Sequence, residues 1–509
     1  MCEAALRPNI LLITADQWRG DCLSALGHPC VRTPNIDALA AQGTLFARHY
    51  AGAAPCSPAR ASLYTGLYQM NHRVCRNGSP LDDRFDNLAR LARRAGYDPT
   101  LFGYTDVSLD PRRLAPGDPH LRTYEQVLPG FSVRELLPEH ERPWLSWLRS
   151  RGHAEATSRD IHAPPGTRGR VTSNAPLYRA EETQTAYLTG AFLRWRSEQD
   201  SPWFAHLSFL RPHPPFVVPA PYNTMFDVSD GPPFARAASS AAEAGIHPFV
   251  AWQIAQNRQS GFVHGAEGLV RDWSEEEIAT LRATYYGMIA EVDAQIGRIV
   301  AALKASGDWD KTLIVFCSDH GEMAGDHWLF GKGGFYEASY HIPLLIRDPA
   351  EPGGHVVRHF TSAADIMPTL AQRLGEPAPG HQDGRSLAPF LSGQTPASWR
   401  EAAFWEFDFR DIEHGAAEAH FGLPSHRCNL AVLRSDAFKY VHFAGLPPLL
   451  FDLSRDPQER ENRAENPAYT SVRLHHAEAL ATLRAAHLDQ TLADTVLTAA
   501  GPVTRRGGW

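Results

Sequence analysis

Asn9-Ile10-Leu11-Leu12-Ile13-Thr14-Ala15, followed at once by Asp16-Gln17, is the stretch from which the fold can be read. The run is too short for a signal core or a membrane span and suits a strand buried on both faces. The pattern recurs farther on. Thr312 to Cys317 is a second continuous apolar strand, and Ser318-Asp319-His320-Gly321-Glu322 follows it directly. Trp203 to Leu210, Pro99 to Tyr104 and Pro343 to Arg347 read as further strands.

Helical patterns lie between them. Thr33-Pro34 starts a helix through Ala41, with Thr33 as its cap and Pro34 in the first turn. Leu88 to Ala95 is a helix stopped by Gly96. Ser274-Glu275-Glu276-Glu277 is a capping box opening a long helix to about Ser306. Ser362 to Leu374 is another helix. Short strands alternating with helices predict an α/β fold, with a large, mixed, mostly parallel sheet sandwiched by helices. Polar clusters just after strand ends lie where such sheets place their ligands.

The pattern changes near residue 376. Ala402 to Phe407, Asn429 to Arg434 and Phe438 to Phe443 read as meander strands, followed by a helix from about Ala468 to His487. The reading is a catalytic unit over 1–375 and a smaller α+β C-terminal subdomain over 376–509. Two insertions are expected in the first unit: Pro-, Arg- and Gly-rich loops over about 111–180 and a helical stretch over about 225–265.

Working outward to composition, the 509 residues are 43% hydrophobic with a net charge of −8, as a soluble globular protein would be. There is no basic tail for nucleic acid and no membrane span. Cys2, Cys22, Cys30, Cys56, Cys75, Cys317 and Cys428 are scattered, with no CxxC pair. That signals neither a zinc site nor a disulfide framework, and a reducing compartment, the cytoplasm, is the expected location.

Cys56-Ser57-Pro58-Ala59-Arg60 carries the most chemistry. The run to Gly66 reads as a helix and its stop, with Cys56 just ahead of the N-terminus, where unpaired N–H groups attract anions. Arg60 offers a planar fork of donors. A cysteine before a helix is ordinarily a small buried hydrophobe. The two acidic clusters, Asp16-Gln17 and Asp319-His320, are each weak alone. With Cys56 they suggest a divalent-cation site, and the mixed oxygen and imidazole donors favour Mn²⁺ over Ca²⁺, which remains possible.

These motifs resemble the sulfatase family of the alkaline phosphatase superfamily, and within it the phosphonate monoester hydrolase/arylsulfatase branch. Thr33-Pro34-Asn35-Ile36-Asp37, Asn71-His72-Arg73, Arg211-Pro212-His213-Pro214-Pro215-Phe216, Gly331-Lys332, Phe451-Asp452-Leu453 and Asp456-Pro457-Gln458-Glu459 add to the likeness. The resemblance implies an alkaline phosphatase-like fold. It also implies a formylglycine made from Cys56 by a formylglycine-generating enzyme, and one metal ion held by Asp16, Gln17, Asp319, His320 and modified residue 56. Arg60 would support metal and nucleophile. Asn77, His213 and Lys332 would contact the transferred group or leaving oxygen, with His213 or Lys332 as general acid. Tyr104 and Asp106 complete the substrate-binding set.

The expected activity is hydrolysis of a small anionic sulfate ester, arylsulfatase-like and promiscuous toward phosphonate monoesters and phosphodiesters. The alternatives are a chain that is primarily a phosphonate monoester hydrolase, and a binding protein that keeps Cys56 as a thiol. By family habit the chain would form a dimer or tetramer of identical subunits. It departs from most sulfatases where Gly103 is followed by Tyr104 instead of lysine, and where His320 stands in place of asparagine. Asp106 replaces the small hydroxyl residue common in the phosphonate hydrolase branch. An acid facing the substrate there would penalise dianions more than monoanions.

Overall fold

Asn9–Ala15 is buried at every position and forms the centre of the main sheet. It pairs in parallel with Phe204–Phe209 on one side and Thr312–Cys317 on the other. The chain is described here by a computed structural model covering residues 7–154, 157–164, 166–200, 202–377, 381–491 and 493–504. The sheet has eight strands, in the spatial order His355–Val357, Thr44–Phe46, Leu344–Arg347, Thr312–Cys317, Asn9–Ala15, Phe204–Phe209, Pro99–Gly103 and Ser132–Leu136. Leu344–Arg347 runs antiparallel to both its neighbours, while the other pairings are parallel.

The near-continuous hydrophobicity of the central strands follows from burial on two faces. Ile10, Leu12 and Val315 enter one core; Leu11, Ile13, Ile314 and Phe316 enter the other. Each such side chain contributes about 1.5–3 kcal/mol by leaving water. A polar residue at any of them would face apolar neighbours with no partner.

A second sheet has the spatial order Leu449–Asp452, Phe438–Phe443, Asn429–Arg434, Ala403–Asp408 and Ala53–Ala54. Its C-terminal strands are antiparallel, as the meander pattern predicts. Ala53–Ala54, however, comes from the start of the chain and pairs in parallel with Ala403–Asp408. The helix Cys56–Thr65 springs directly from that edge strand. Gly66 closes the helix in the left-handed region at φ 74°, and a side chain there would collide with Gln382.

The capping box at Ser274 is present. The Ser274 hydroxyl accepts from the Glu277 N–H at 3.2 Å and the Glu277 carboxylate accepts from the Ser274 N–H at 2.8 Å, opening Glu275–Ala305. Thr33 occupies the cap position of Pro34–Ala40 but its hydroxyl does not cap. It accepts from the Ser24 N–H at 3.1 Å and reaches Asp37 at 3.2 Å, so a tertiary contact takes the oxygen that the local pattern assigns to the helix. The stretch 111–180 is more ordered than its composition predicts. It contributes the edge strand Ser132–Leu136 and the helix Arg142–Ser150. The stretch 225–265 contains the helices Ser240–Ala244 and Pro248–Gln256.

Behind Cys56–Thr65, His72 is held in its neutral form. Its Nδ1 accepts from the Val74 N–H at 3.1 Å, leaving Nε2–H for the Ser62 hydroxyl at 3.0 Å. Burial pushes His72 down to about 3 from its ordinary 6.5. Between those values the unfolded chain binds the extra proton and the folded chain does not. The stabilising effect is therefore complete above pH 6.5 and is lost as pH falls toward 3, by at most about 1.4 kcal/mol per pH unit. Urea midpoints measured across this range should fall less steeply for His72→Gln than for the unsubstituted chain; equal slopes would refute the assignment.

Among the described residues no helix is long and apolar enough to cross a membrane. Cys22, Cys30, Cys56, Cys75, Cys317 and Cys428 are free thiols; Cys2 lies outside the described residues.

Candidate active site

The two strands that carry acids at their C-terminal ends are neighbours, so Asp16 and Asp319 meet although they are far apart in sequence. The helix Cys56–Thr65 points its first turn at them. Asp16, Cys56, Asp319 and His320 each offer one ligand atom, all within 4.8 Å of one another and all buried. The Cys56 Sγ lies 3.1 Å from His320 Nε2. His320 Nδ1 lies 3.1 Å from the Gly321 carbonyl, which assigns the proton to Nδ1 and leaves the Nε2 lone pair facing the group. Burial lowers the His320 pKa, favouring the neutral imidazole.

Burial works against the charge on Asp16, but His213, His320, Arg60 and Lys332 together hold its carboxyl well below the usual range. One of its oxygens, Oδ1, is buried without a hydrogen-bond partner. An orphaned carboxylate oxygen, a free imidazole nitrogen and a second carboxylate in reach of one point form a donor set that fits a divalent cation.

Arg60 is 1% exposed and its donors are taken internally. Nε donates to Asp319 Oδ2 at 2.9 Å, and Nη2 to Asp16 Oδ2 at 3.2 Å and the Tyr104 hydroxyl at 2.9 Å. Nη1 donates to the Ser208 hydroxyl at 2.9 Å. The Tyr104 ring stacks beneath the guanidinium at 4.2 Å, and the Tyr104 hydroxyl also bonds Asp16. Arg60 therefore braces the two carboxylates, and Tyr104 braces Arg60.

Gln17 has a left-handed backbone, φ 71°. Its amide oxygen accepts from Lys332 Nζ at 2.7 Å and its amide nitrogen donates to Glu322. The structure places Gln17 beside the four-donor group with its side chain engaged elsewhere. Burial pushes Glu322 up to about 7, although it also accepts from the N–H groups of Ala324 and Gly331. Asn77 Oδ1 accepts from the Ser57 N–H at 3.0 Å, which supplies the side-chain cap that Pro55 cannot give the helix.

His213, Lys332 and Asn77 are half-buried and stand at the opening of this otherwise buried group. Burial, with Lys332 adding to it, pushes His213 down to about 3. Burial opposes the Lys332 ammonium, yet Cys56, Asp16 and Asp319 keep its pKa above the usual lysine value. With no ester bound, Lys332 thus carries its proton at neutral pH and His213 is neutral. A cavity of about 170 Å³ beside His213 is lined by Glu139, Glu141, Leu210, Pro214 and His264 among others.

The Asp106 carboxyl is 2% exposed, and its Oδ2 has no partner. Burial pushes it well above the ordinary range, so it carries less negative charge than the sequence reading assumes. Burial, and after it Asp16, pushes the Cys56 thiol up as well. A thiol held in its protonated form is a poor nucleophile.

The family model described as sulfatase matches residues 8–376, and a model described as N-sulphoglucosamine sulphohydrolase, C-terminal, matches residues 325–486. The chain belongs to the sulfatase family. This sulfatase-family chain is 40% identical to the multifunctional alkaline phosphatase superfamily protein PehA of Trinickia caryophylli, over 98% of its own length and 99% of that protein's. Its fold overlays on the phosphonate monoester hydrolase of Agrobacterium radiobacter with a TM-score of 0.97 at 65% identity, covering 98% and 100% of the two chains. For the phosphonate monoester hydrolase SpPMH of Silicibacter pomeroyi the TM-score is 0.93 at 41% identity, covering 98% and 99%. It is a hydrolase of sulfate or phosphonate esters with an alkaline phosphatase-like fold.

Sequence reasoning did not single out Ser208 or Glu322. Ser208 closes a strand with nothing to mark it. Glu322 stood in the quoted motif after Thr312–Cys317, and that position was its signal.

Proposed function

We propose that this chain is a formylglycine- and metal-dependent hydrolase acting chiefly on phosphonate monoesters and phosphodiesters, with sulfate monoesters as further substrates. The observation that carries the reading is the place of Cys56 itself, buried at the first turn of its helix with Sγ 3.1 Å from His320 Nε2, in one group with Asp16 and Asp319 whose ligand atoms all lie within 4.8 Å. An oxygen nucleophile on residue 56 would stand against a cation held by the other three, and membership of the sulfatase family supports formylglycine as its source. Formylglycine would supply a hydrated aldehyde with two hydroxyls, one to attack and one through which the transferred group can be released. Asp16, Asp319 and His320 would hold a divalent metal, Mn²⁺ by the donor mixture, which would lower the pKa of the attacking hydroxyl and screen substrate charge. The high similarity to two phosphonate monoester hydrolases supports the order of substrates.

The chain's own residues then divide the work. Arg60 keeps both carboxylates in place. Asn77 fixes the first turn of the helix. Lys332 holds its proton and binds an oxygen of the transferred group. His213 faces the leaving oxygen as general acid, and the anion of a bound ester is the group that raises its proton affinity. The six described cysteines are unpaired, which supports a reducing, cytoplasmic location.

With the Arg60 donors consumed internally, Lys332 is left as the cation at the opening, so a dianionic ester gains less than it loses in desolvation. On fully modified enzyme, kcat/KM for an aryl phosphate monoester should fall below that for the matching phenylphosphonate and sulfate esters by about tenfold or more, about 1.4 kcal/mol. A better rate on the aryl phosphate would defeat this reading.

A further inference from the structure

Arg211 is a buried arginine that the reaction as derived leaves without a task. It is 5% exposed and lies two residues before His213. Its Nη1 donates to the His213 carbonyl at 2.7 Å and the Pro215 carbonyl at 3.0 Å. The carbonyl between these two, that of Pro214, accepts from His213 Nδ1 at 2.8 Å and sets the direction of the imidazole ring. One guanidinium nitrogen thus pins the peptide units on both sides of the group that aims the ring. With the Nδ1–H committed to that carbonyl, a second proton gained on Nε2 is the one His213 would give a leaving oxygen.

Arg211 is in turn held from behind. Its Nη2 lies 3.4 Å from His162 Nδ1, which the Tyr178 hydroxyl also approaches at 3.2 Å. Both neighbours are donors, so Nδ1 is the acceptor and the proton sits on Nε2. From there it is given to the Glu141 carboxylate, whose oxygens lie at 2.8 and 3.0 Å. His162 is clamped between the Trp144 and His264 rings at 5.3 and 5.8 Å. Glu141 is further fixed by Ser158 at 2.8 Å and by Gln184. His213, Glu141 and His264 all line the cavity of about 170 Å³ that has room for the leaving group.

We propose that Arg211 is the positioning residue for His213, fixing the orientation of its imidazole toward the leaving oxygen, with His162 and Glu141 fixing Arg211. The inference rests on the reading of His213 as general acid and adds to it the part that aims the acid. Its signature is selective. Protonation matters for esters of poorly acidic alcohols and hardly at all for activated aryl esters, whose leaving oxygen departs without help.

The test uses modified, metal-loaded enzyme and a series of phosphonate monoesters that differ only in leaving-group acidity. Arg211→Lys keeps the charge, but one ammonium nitrogen cannot stand in both for Nη1 on the two carbonyls and for Nη2 on His162. It is expected to lower kcat/KM about 10- to 100-fold for the alkyl ester and less than about 3-fold for the 4-nitrophenyl ester. His162→Asn, which leaves the loop itself untouched, should give the same selectivity with a smaller loss. In the His213→Asn background, Arg211→Lys should add no further dependence on leaving group.

Equal losses on both esters, or none on either, overturn the proposal. If Arg211→Lys does not fold, His162→Asn decides by the same ratio. If His213→Asn itself shows no leaving-group selectivity, the general-acid reading falls. If it does show selectivity while both positioning variants do not, the positioning role alone falls.

Discussion

On the proposed mechanism, replacing Cys56 with alanine will lower kcat/KM by about 10⁴-fold or more, because a free water must then do what an oxygen fixed to the helix would do. The serine variant separates the two hydroxyls of the proposed aldehyde hydrate. Serine keeps an attacking oxygen but lacks the second hydroxyl that would release the transferred group. It is expected to free about one equivalent of alcohol per chain and then stop. Continued turnover by the serine variant would remove the argument for a modified residue. Accurate mass of the peptide carrying Cys56 gives the direct measurement: a loss for the aldehyde, nearly restored by hydration. Chain refolded as the thiol before it meets the modifying enzyme should retain the cysteine mass.

Arg60→Ala is expected to destabilise the fold by about 3–5 kcal/mol, since it leaves two buried carboxylates without their shared cation. Asp319 loses the Nε contact at 2.9 Å and Asp16 loses the Nη2 contact at 3.2 Å. All the groups concerned are about 1% exposed, so water does not replace the lost partner. Arg60→Lys should recover part of the loss, because an ammonium can reach one carboxylate but cannot span both. Denaturant unfolding of chelator-treated protein checks the prediction free of any bound cation. A loss under about 1 kcal/mol for the alanine variant would show that the guanidinium does not carry the load assigned to it.

The central strands and their terminal acids were legible because each is a local pattern. A run such as Ile10 to Ala15 is apolar on both faces, and the polar residues after it must lie at the strand's end. The capping box at Ser274 and the glycine stop at Gly66 were equally local. What escaped was settled by partners outside the local pattern. Thr33 looks like a cap until Ser24 and Asp37 take its hydroxyl. Gln17 stands beside the donor group, but the sequence does not announce that its amide lies between Lys332 and Glu322. The cap that the Asn77 oxygen gives the Ser57 N–H is not announced by the Asn77-Gly78 turn pattern. The strand Ser132–Leu136 hid in a stretch whose proline, arginine and glycine content suggested loops. It is an edge strand, with charged and exposed positions that an edge tolerates. The antiparallel course of Leu344–Arg347 left no mark either, because a strand buried on both faces reads alike in either direction.

The pairing of Ala53–Ala54 with Ala403–Asp408 also sets a clock. The helix that presents Cys56 hangs from a strand whose sheet partner among the described residues is made about 350 residues later. At a synthesis rate of roughly 5–20 residues per second, the ribosome needs about 20–70 s to supply that partner. During that interval the edge strand before the cysteine lacks the partner that anchors it in the finished fold. Once the sheet closes, Cys56 is 2% exposed. If residue 56 is oxidised as proposed, the order of strands along the gene gives a modifying enzyme an accessible peptide before the fold is complete.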